Sequence, residues 1–367
     1  MKLTRRDFVL AGVAGAALGG AGVARLLEHD DPPPPRPACP PRPEPSVRPA
    51  PNRRLEAADT GVVLRHGDGP GGCDAVGARD VVAWRYEDRW YMHYDGGRAT
   101  GWPLCLATSD DGRVWTKHGP VLELGPPGSP DAGSASYGIP VPTPQGWHLF
   151  YLGAGSNTGP PEGVPAAPYV TLKAHGPGPM GPWEKQPGVI PFAPQPGTYY
   201  AYGASPGAVI SVGDEYSQFF AAAAGDPLQR TVGRARTRDL DGPWTVDPQP
   251  VLPIGEQVEN SALYFEQDND TWFLFTNHVA AAEVEYTDAI WVYWTKDLEH
   301  WDPQNKAVVL DNHNCCWSQR VIGLPSIVPV EDRIALFYDG LQGASTSHVG
   351  RDVGLAWLPR PLAPPRE

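Results

Sequence analysis

Between about residue 80 and residue 340 the chain repeats one alternation five times: a small or proline-containing entry, an apolar run, a polar turn and a second apolar, aromatic-rich run. The turn and second run read Glu87–Tyr94, Gln145–Tyr151, Gly213–Phe220, Asn269–Phe275 and Glu331–Tyr338. Two such runs joined by a short polar turn predict a β-hairpin. Measured from Trp90, Trp147, Tyr216, Trp272 and Ile334, the intervals are 57, 69, 56 and 62 residues, room for four short strands per repeat. A ring of such sheets is a five-bladed β-propeller, an all-β fold of four-stranded antiparallel sheets whose funnel-shaped axis is the natural place for chemistry.

A second marker, one hairpin later, supports the count. Ser109–Trp115, Gly181–Trp183, Arg238–Trp244 and Lys296–Trp301 each bring an Asp- or Gly-containing turn to a tryptophan that closes a sheet edge. The fifth repeat ends at Val353–Trp357 without this marker. The segment around Gly61-Val62-Val63-Leu64 is expected to supply its outer strand, because a ring closed by the far end of the chain leaves no bare edge.

Gly 42 and Pro 44 in 367 residues, with 13 Trp and 14 Tyr, fit many turns and aromatic strands, and no long amphipathic helix is evident. The amino terminus differs from the rest. Thr4-Arg5-Arg6-Asp7-Phe8-Val9-Leu10, followed by an Ala/Gly-rich apolar stretch, reads as a twin-arginine export signal over residues 1–24. A Pro/Arg-rich spacer over 25–57 follows it, then the propeller over 58–360 and a tail over 361–367. This organisation predicts an exported protein, periplasmic, extracellular or attached to the cell envelope, monomeric and with no membrane span in the mature domain.

Residues 1–54 carry nine Lys/Arg and five Asp/Glu, so the acidic excess of a chain with net charge −13 lies wholly in the remainder. An acidic domain repels phosphate backbones, which excludes nucleic acid as a partner and leaves neutral or cationic small molecules, sugars included. Among five cysteines Cys39 falls in the spacer. A bridge from Cys73 to Cys315 or Cys316 is expected to staple the ring, with a vicinal Cys315–Cys316 bridge as the alternative. A zinc site from His313, Cys315 and Cys316 is disfavoured, because adjacent cysteines do not readily reach one tetrahedral ion. No cofactor is expected, and an axial calcium has no ligand motif to support it.

The innermost strand of each blade begins near the axis, so the five entries face one cavity. They read Arg79-Asp80-Val81, Gly138-Ile139-Pro140, Ala204-Ser205-Pro206, Glu259-Asn260-Ser261 and Gly323-Leu324-Pro325, and two of them supply a carboxylate, Asp80 and Glu259. Two carboxylates astride one bond, one protonated and one ionised, are what glycoside cleavage requires. Trp84, Tyr137 and Trp317 are candidates to bury one of them and raise its pKa. Tyr202, with Tyr200, suits stacking on a sugar face, His278 suits a sugar hydroxyl, and Arg79 and Arg351 suit holding a carboxylate. Three motifs are decoys. Gly203–Gly207 fits a serine-hydrolase elbow, but Pro206 lacks the amide an oxyanion hole needs. Gly176–Gly181 matches a dinucleotide fingerprint with no helix after it, and Asp268-Asn269-Asp270 is a hairpin turn.

The Arg79-Asp80 entry before Trp90-Tyr91, the repeated Asp-Gly or Asp-Leu turns ending in Trp, and Leu336–Gly340 with His348–Ala356 together resemble the five-bladed propeller glycoside hydrolases. That superfamily includes arabinanases, β-xylosidases, invertases, levansucrases and mannoside phosphorylases, and the likeness, closest to the family 43 pattern, covers residues 60–358. The resemblance implies an aspartate opening blade one as base or nucleophile, matched by Asp80. It also implies a glutamate in a Glu-x-Pro-like entry as acid, matched by Glu259 with Ser261 in place of proline. The second-blade aspartate falls at Ile139 or Pro140, so Asp352 or Asp339 would have to replace it. The expected function is an exported glycoside hydrolase or transglycosidase acting on a polysaccharide or oligosaccharide. The alternatives are a non-catalytic carbohydrate-binding propeller or a surface-attached structural module.

Overall fold

The computed structural model describes residues 8–10, 53–225, 228–281 and 285–366. The export signal and spacer lie outside the described residues, except for Phe8–Leu10, which pairs its backbone with Ile210–Val212, and residues 53–57 at the end of the spacer. No helix among the described residues is long and apolar enough to cross a membrane.

Five antiparallel sheets follow one another along the chain. Blade I comprises Gly77–Tyr86, Arg89–Gly97, Trp102–Ser109 and Thr116–Leu122. Blade II comprises Ser134–Thr143, Gly146–Ala154, Val170–Gly176 and the two-residue Glu184–Lys185. Blade III comprises Gly203–Val212, Glu215–Ala224, Gln229–Thr237 and Thr245–Val246. Blade IV comprises Val258–Glu266, Thr271–Ala281, Glu285–Thr295 and Lys306–Leu310. Blade V comprises Ile322–Val330, Arg333–Gly340 and Asp352–Pro359, and its fourth strand is Ala58–Leu64, paired antiparallel with Asp352–Pro359. The ring therefore closes with a strand from before blade I, as the sequence predicts.

The marker tryptophans show how one blade grips the next. Trp115 of blade I stands edge-on to Phe337 of blade V, Trp183 to His93 of blade I, Trp244 to Phe150 of blade II, and Trp301 to Phe219 of blade III. Each indole thus reaches back to the second strand of the preceding blade, where it removes a large apolar area from water. The seam between blades IV and V lacks this wedge. It is filled by Ala57, Phe275, Cys315 and Tyr338, with the half-buried Trp317 packed against them.

The expected staple is corrected here. Cys73 and Cys315 are free and buried, which excludes both a Cys73–Cys315 bridge and the vicinal one. Cys73 lies near Tyr94, 4.0 Å from its hydroxyl, and Cys315 lies 3.4 Å from the Tyr338 hydroxyl. They belong to separate hydrophobic clusters, so packing, and no bond between these two cysteines, holds their blades in place.

One irregularity recurs and decides the site. Every innermost strand slips register near its start: between Arg79 and Val82, Ser136 and Ile139, Ser205 and Gly207, Glu259 and Ala262, and Gly323 and Ser326. The first bulged residue is left-handed at Asp80 (φ 52°), Tyr137 (φ 44°), Asn260 (φ 59°) and Leu324 (φ 33°). Blade III slips by one residue at Pro206 without a left-handed residue, and a Cβ on the following Gly207 would lie 1.8 Å from the Phe219 carbonyl oxygen. Bulges of this kind bend a strand and re-aim its side chains. They divide the axis into a polar upper cavity and an apolar lower channel, the latter lined by Trp84, Ile139, Val209, Leu263, Ile327 and Val328 among others.

Candidate active site

The upper cavity, of about 310 Å³, is lined from all five blades. The register slips correct the alignment of the entries. Asp80 corresponds to Tyr137, Asn260 and Leu324, whereas Glu259 corresponds to Arg79, Ser136 and Gly323. The blade-II equivalent of Asp80 is therefore Tyr137, shortly before Ile139.

Across from these positions, on the second strands, stand Asp95 opposite Arg79, Asn277 opposite Glu259 and Asp339 opposite Gly323. A bulge turns its amide out of the ladder, and a buried amide needs an acceptor. Asp95 takes the Tyr137 N–H at 2.6 Å, and Asp339 takes the Asp80 N–H at 3.4 Å. Each second-strand aspartate thus receives the bulge of the next blade around the ring. Gly323 makes room for this, since a Cβ there would lie 2.9 Å from Asp339 Oδ1.

Three guanidiniums balance the carboxylates. Arg79 lies 3.1 Å from Asp80 and 4.8 Å over the Trp102 ring. Arg351 donates to Asp339 Oδ2 at 2.9 Å, both side chains being almost fully buried. Arg230 joins Glu259 at 3.1 Å and Glu285 at 2.5 Å, and its guanidinium lies over the Tyr169 ring at 5.7 Å. Asn277 donates to Glu259 Oε1 at 3.4 Å, while Asn260 donates to Asn277.

Burial pushes the Glu259 pKa up; Arg230 opposes this, and the negative charges of Glu285 and Asp80 add to it. Asp95 is raised well above the carboxylate range by burial and then by the charge of Asp80, with a side-chain hydrogen bond to Asp80 adding to the rise. Burial likewise raises Asp339, with Arg351 opposing. His348 donates from Nε2 to the Glu285 carbonyl at 3.0 Å and accepts the Arg351 guanidinium at Nδ1 at 3.1 Å. Burial, then Arg351 and Arg79, lower its pKa to about 3, so it is neutral at this lip.

Of the residues singled out from sequence, Asp80, Glu259, Arg79, Tyr137, Asp339 and Arg351 line the cavity together. The others do not, and each misplacement has a cause. Trp84 lies beyond the bulge, stacked on Tyr91 in the lower half. His278 follows Asn277 on the same strand, so it points to the opposite face, stacked on Trp291 and bonded to Asp288 at 2.7 Å. Asp352 follows Arg351 and is likewise turned away, holding the His66 N–H at 2.9 Å. Trp317 donates to the Tyr338 hydroxyl in the blade IV–V seam, and Tyr202 is 42% exposed outside the lining. Asp95, Arg230, Glu285 and Tyr169 escape the sequence reading because they lie outside the blade entries. Asp95 carries a legible signal, an aspartate closing an otherwise apolar second strand just as Asp339 does.

No protein-family model matches the chain, and no curated protein matches it in sequence. Among solved structures it is similar to one described as a glycoside hydrolase, at 16% identity and TM-score 0.63 over 85% of this chain and 96% of that one. It is also similar to the catalytic domain of a GH62 α-L-arabinofuranosidase from Coprinopsis cinerea, at 13% identity and TM-score 0.58 over 83% of this chain and 97% of that one. A third is Zg3597, a family 117 glycoside hydrolase from the marine bacterium Zobellia galactanivorans, at 15% identity and TM-score 0.58 over 83% and 91%. The chain has the fold of these five-bladed propeller glycoside hydrolases.

Proposed function

We propose that the chain is a glycoside hydrolase in which Glu259 is the general acid and Asp80 the ionised partner. The observation that carries the reading is the placement of these two carboxylates, from blades I and IV, in one axial cavity, each held by an arginine at 3.1 Å. Glycoside cleavage needs one carboxyl that holds its proton and one that does not. Burial favours the proton on Glu259 against the pull of Arg230, and the charges of Glu285 and Asp80 add to it.

Glu259 gives its proton to the glycosidic oxygen as the C–O bond breaks, and Asp80 stabilises the positive charge developing at the anomeric carbon. Water completes hydrolysis; a sugar hydroxyl in its place would complete transfer. Asp95, buried and taking the Tyr137 N–H, keeps the bulge that aims the blade-II wall, and Arg230 fixes the Glu259 carboxyl. The twin-arginine pattern at Thr4–Leu10 and the spacer support action outside the cytoplasm on a polysaccharide or its oligomers. The likeness to an arabinofuranosidase makes arabinofuranosides a sensible first substrate.

The test is a screen of aryl glycosides and plant or microbial polysaccharides, run beside Asp80→Asn and Glu259→Gln. General acid–base groups contribute roughly 10²- to 10⁴-fold, so each variant is expected to lose about that much of kcat/KM. For Glu259→Gln the loss should be smaller with aryl leaving groups that need no proton. Full activity in both variants would remove the assignment.

A further inference from the structure

The segment joining the second and third strands of blade II, residues 155–169, passes over the upper cavity, and Thr158, Val164, Pro165, Ala166, Ala167 and Tyr169 line it. It is braced internally. The Thr158 N–H donates to the Val164 carbonyl at 2.7 Å, the Ala166 N–H to Ser156 at 2.9 Å, and the Tyr169 hydroxyl to Pro165 at 3.1 Å. Pro160, Pro161, Pro165 and Pro168 further restrict its backbone.

Its tip is tied to two other blades. Trp102 of blade I donates from Nε1 to the Gly163 carbonyl at 2.8 Å. The Glu162 carboxylate takes the Ser347 hydroxyl at 3.1 Å on each oxygen and the His348 N–H at 2.6 Å, both in the loop before the third strand of blade V. Blades II and V are separated by blade I, so the segment spans the rim above it. His348 then continues the tie to blade IV through the Glu285 carbonyl. Tyr169 at the segment's end takes the Ala204 N–H of blade III at 3.1 Å, so contacts reach all five blades.

We infer that the Glu162 clasp makes the cavity a blind pocket, so that the protein removes single terminal sugars from a chain end instead of cutting internal bonds. This rests on the glycosidase reading above. Internal cleavage needs an open groove in which the polymer crosses the axis with sugars on both sides of the broken bond. Here the strap and the blade-V loop stand across one side of any such path. The cavity volume of about 310 Å³ is at the small end of the roughly 300–1,000 Å³ of ligand pockets. Glu162 is a positioning residue that acts through the strap.

The test compares the full chain with Glu162→Ala and Glu162→Gln in two measurements. In hydrogen exchange, the amides of Val164 and Ala166 are expected to be protected in the wild type. They should exchange about ten- to a hundredfold faster in Glu162→Ala, since bonds to a charged acceptor hold the tip, and at an intermediate rate in Glu162→Gln. Wild-type exchange as fast as that of Glu162→Ala overturns the clasp whatever the chemistry. In product analysis on oligosaccharides labelled at the reducing end, the wild type is expected to shorten chains one sugar at a time, and Glu162→Ala to yield mixed lengths. Internal fragments from the wild type overturn the inference and leave the glycosidase reading standing. Absence of hydrolysis of any glycoside overturns that reading and the end-on assignment with it, while the exchange result still reports on the strap.

Discussion

The upper and lower halves of the same axis solve one problem with different chemistry. The inner edge of each first strand faces an opening with no strand beside it, so its amides need other acceptors. Below the bulges those acceptors are neutral hydroxyls. Ser326 of blade V takes the Ala83 N–H at 2.8 Å, and Ser261 of blade IV takes the Ala208 N–H at 3.0 Å while donating to the Phe219 carbonyl. Above them the acceptors are Asp95 and Asp339, each buried and each raised in pKa. A hydroxyl would satisfy an amide at less electrostatic cost. The use of carboxyls only in the upper half marks it as the end where charge is wanted, and the three arginines there keep that charge buried.

Replacing Arg351 by Met tests that contrast most severely. It leaves Asp339 buried without its cation, and breaking such a pair costs about 3–5 kcal/mol. Chemical denaturation should show that loss at pH 8 and a smaller one at pH 5, where Asp339 can take up a proton. Adding Asp339→Asn should restore much of the stability; a double variant as unstable as the single one would argue that Arg351 matters chiefly through packing.

A second measurement concerns pH. A carboxyl that keeps its proton in the native state above the unfolded value of about 3.9 makes stability fall as pH rises from there towards its native pKa, by up to roughly 1.4 kcal/mol per pH unit. Asp95 is raised in this sense. The stability difference between Asp95→Asn and the wild type should therefore shift in favour of the variant as pH rises from 4 to 7; a flat difference would place the native pKa of Asp95 near the ordinary one. His93, fully buried with its pKa lowered to about 4, acts in the opposite direction, lowering stability as pH falls below about 6.5. Its effect cancels in the comparison of the two proteins.

The smallest effect belongs to the lower half. Ser326→Ala removes a neutral acceptor from one amide and should cost about 1–3 kcal/mol in thermal or chemical denaturation, with glycoside turnover unchanged. A loss of turnover with the fold intact would show that the two halves are coupled and not merely stacked.

The same division explains what the sequence could reveal. The blades were legible because an aromatic second strand recurs at each of Trp90, Trp147, Tyr216, Trp272 and Ile334, and apolar period and turn chemistry agree there. Asp80 and Glu259 were legible as the charged entries. Arg79, Tyr137 and Arg351 beside them were legible too, but which neighbouring side chain faces the axis was not always so, because a strand turns its side chains to alternate faces and a bulge resets that alternation. Naming His278, one step past Asn277, and adding Asp352, one step past Arg351, are single-step errors of this kind. Arg230 and Glu285 come from third strands, whose starts approach the axis only once the sheets are closed into a ring.

The strand Ala58–Leu64 leaves the ribosome before any blade, yet its sheet partner is Asp352–Pro359, almost 300 residues later. That partner does not exist until the four blades between them have been made, and until then the strand has no sheet to join. Closure is thus the most non-local event in this architecture, the kind that slows folding because the long loop must be gathered before it is rewarded. A nascent chain of this design carries its own buckle from the start and can fasten it only at the end.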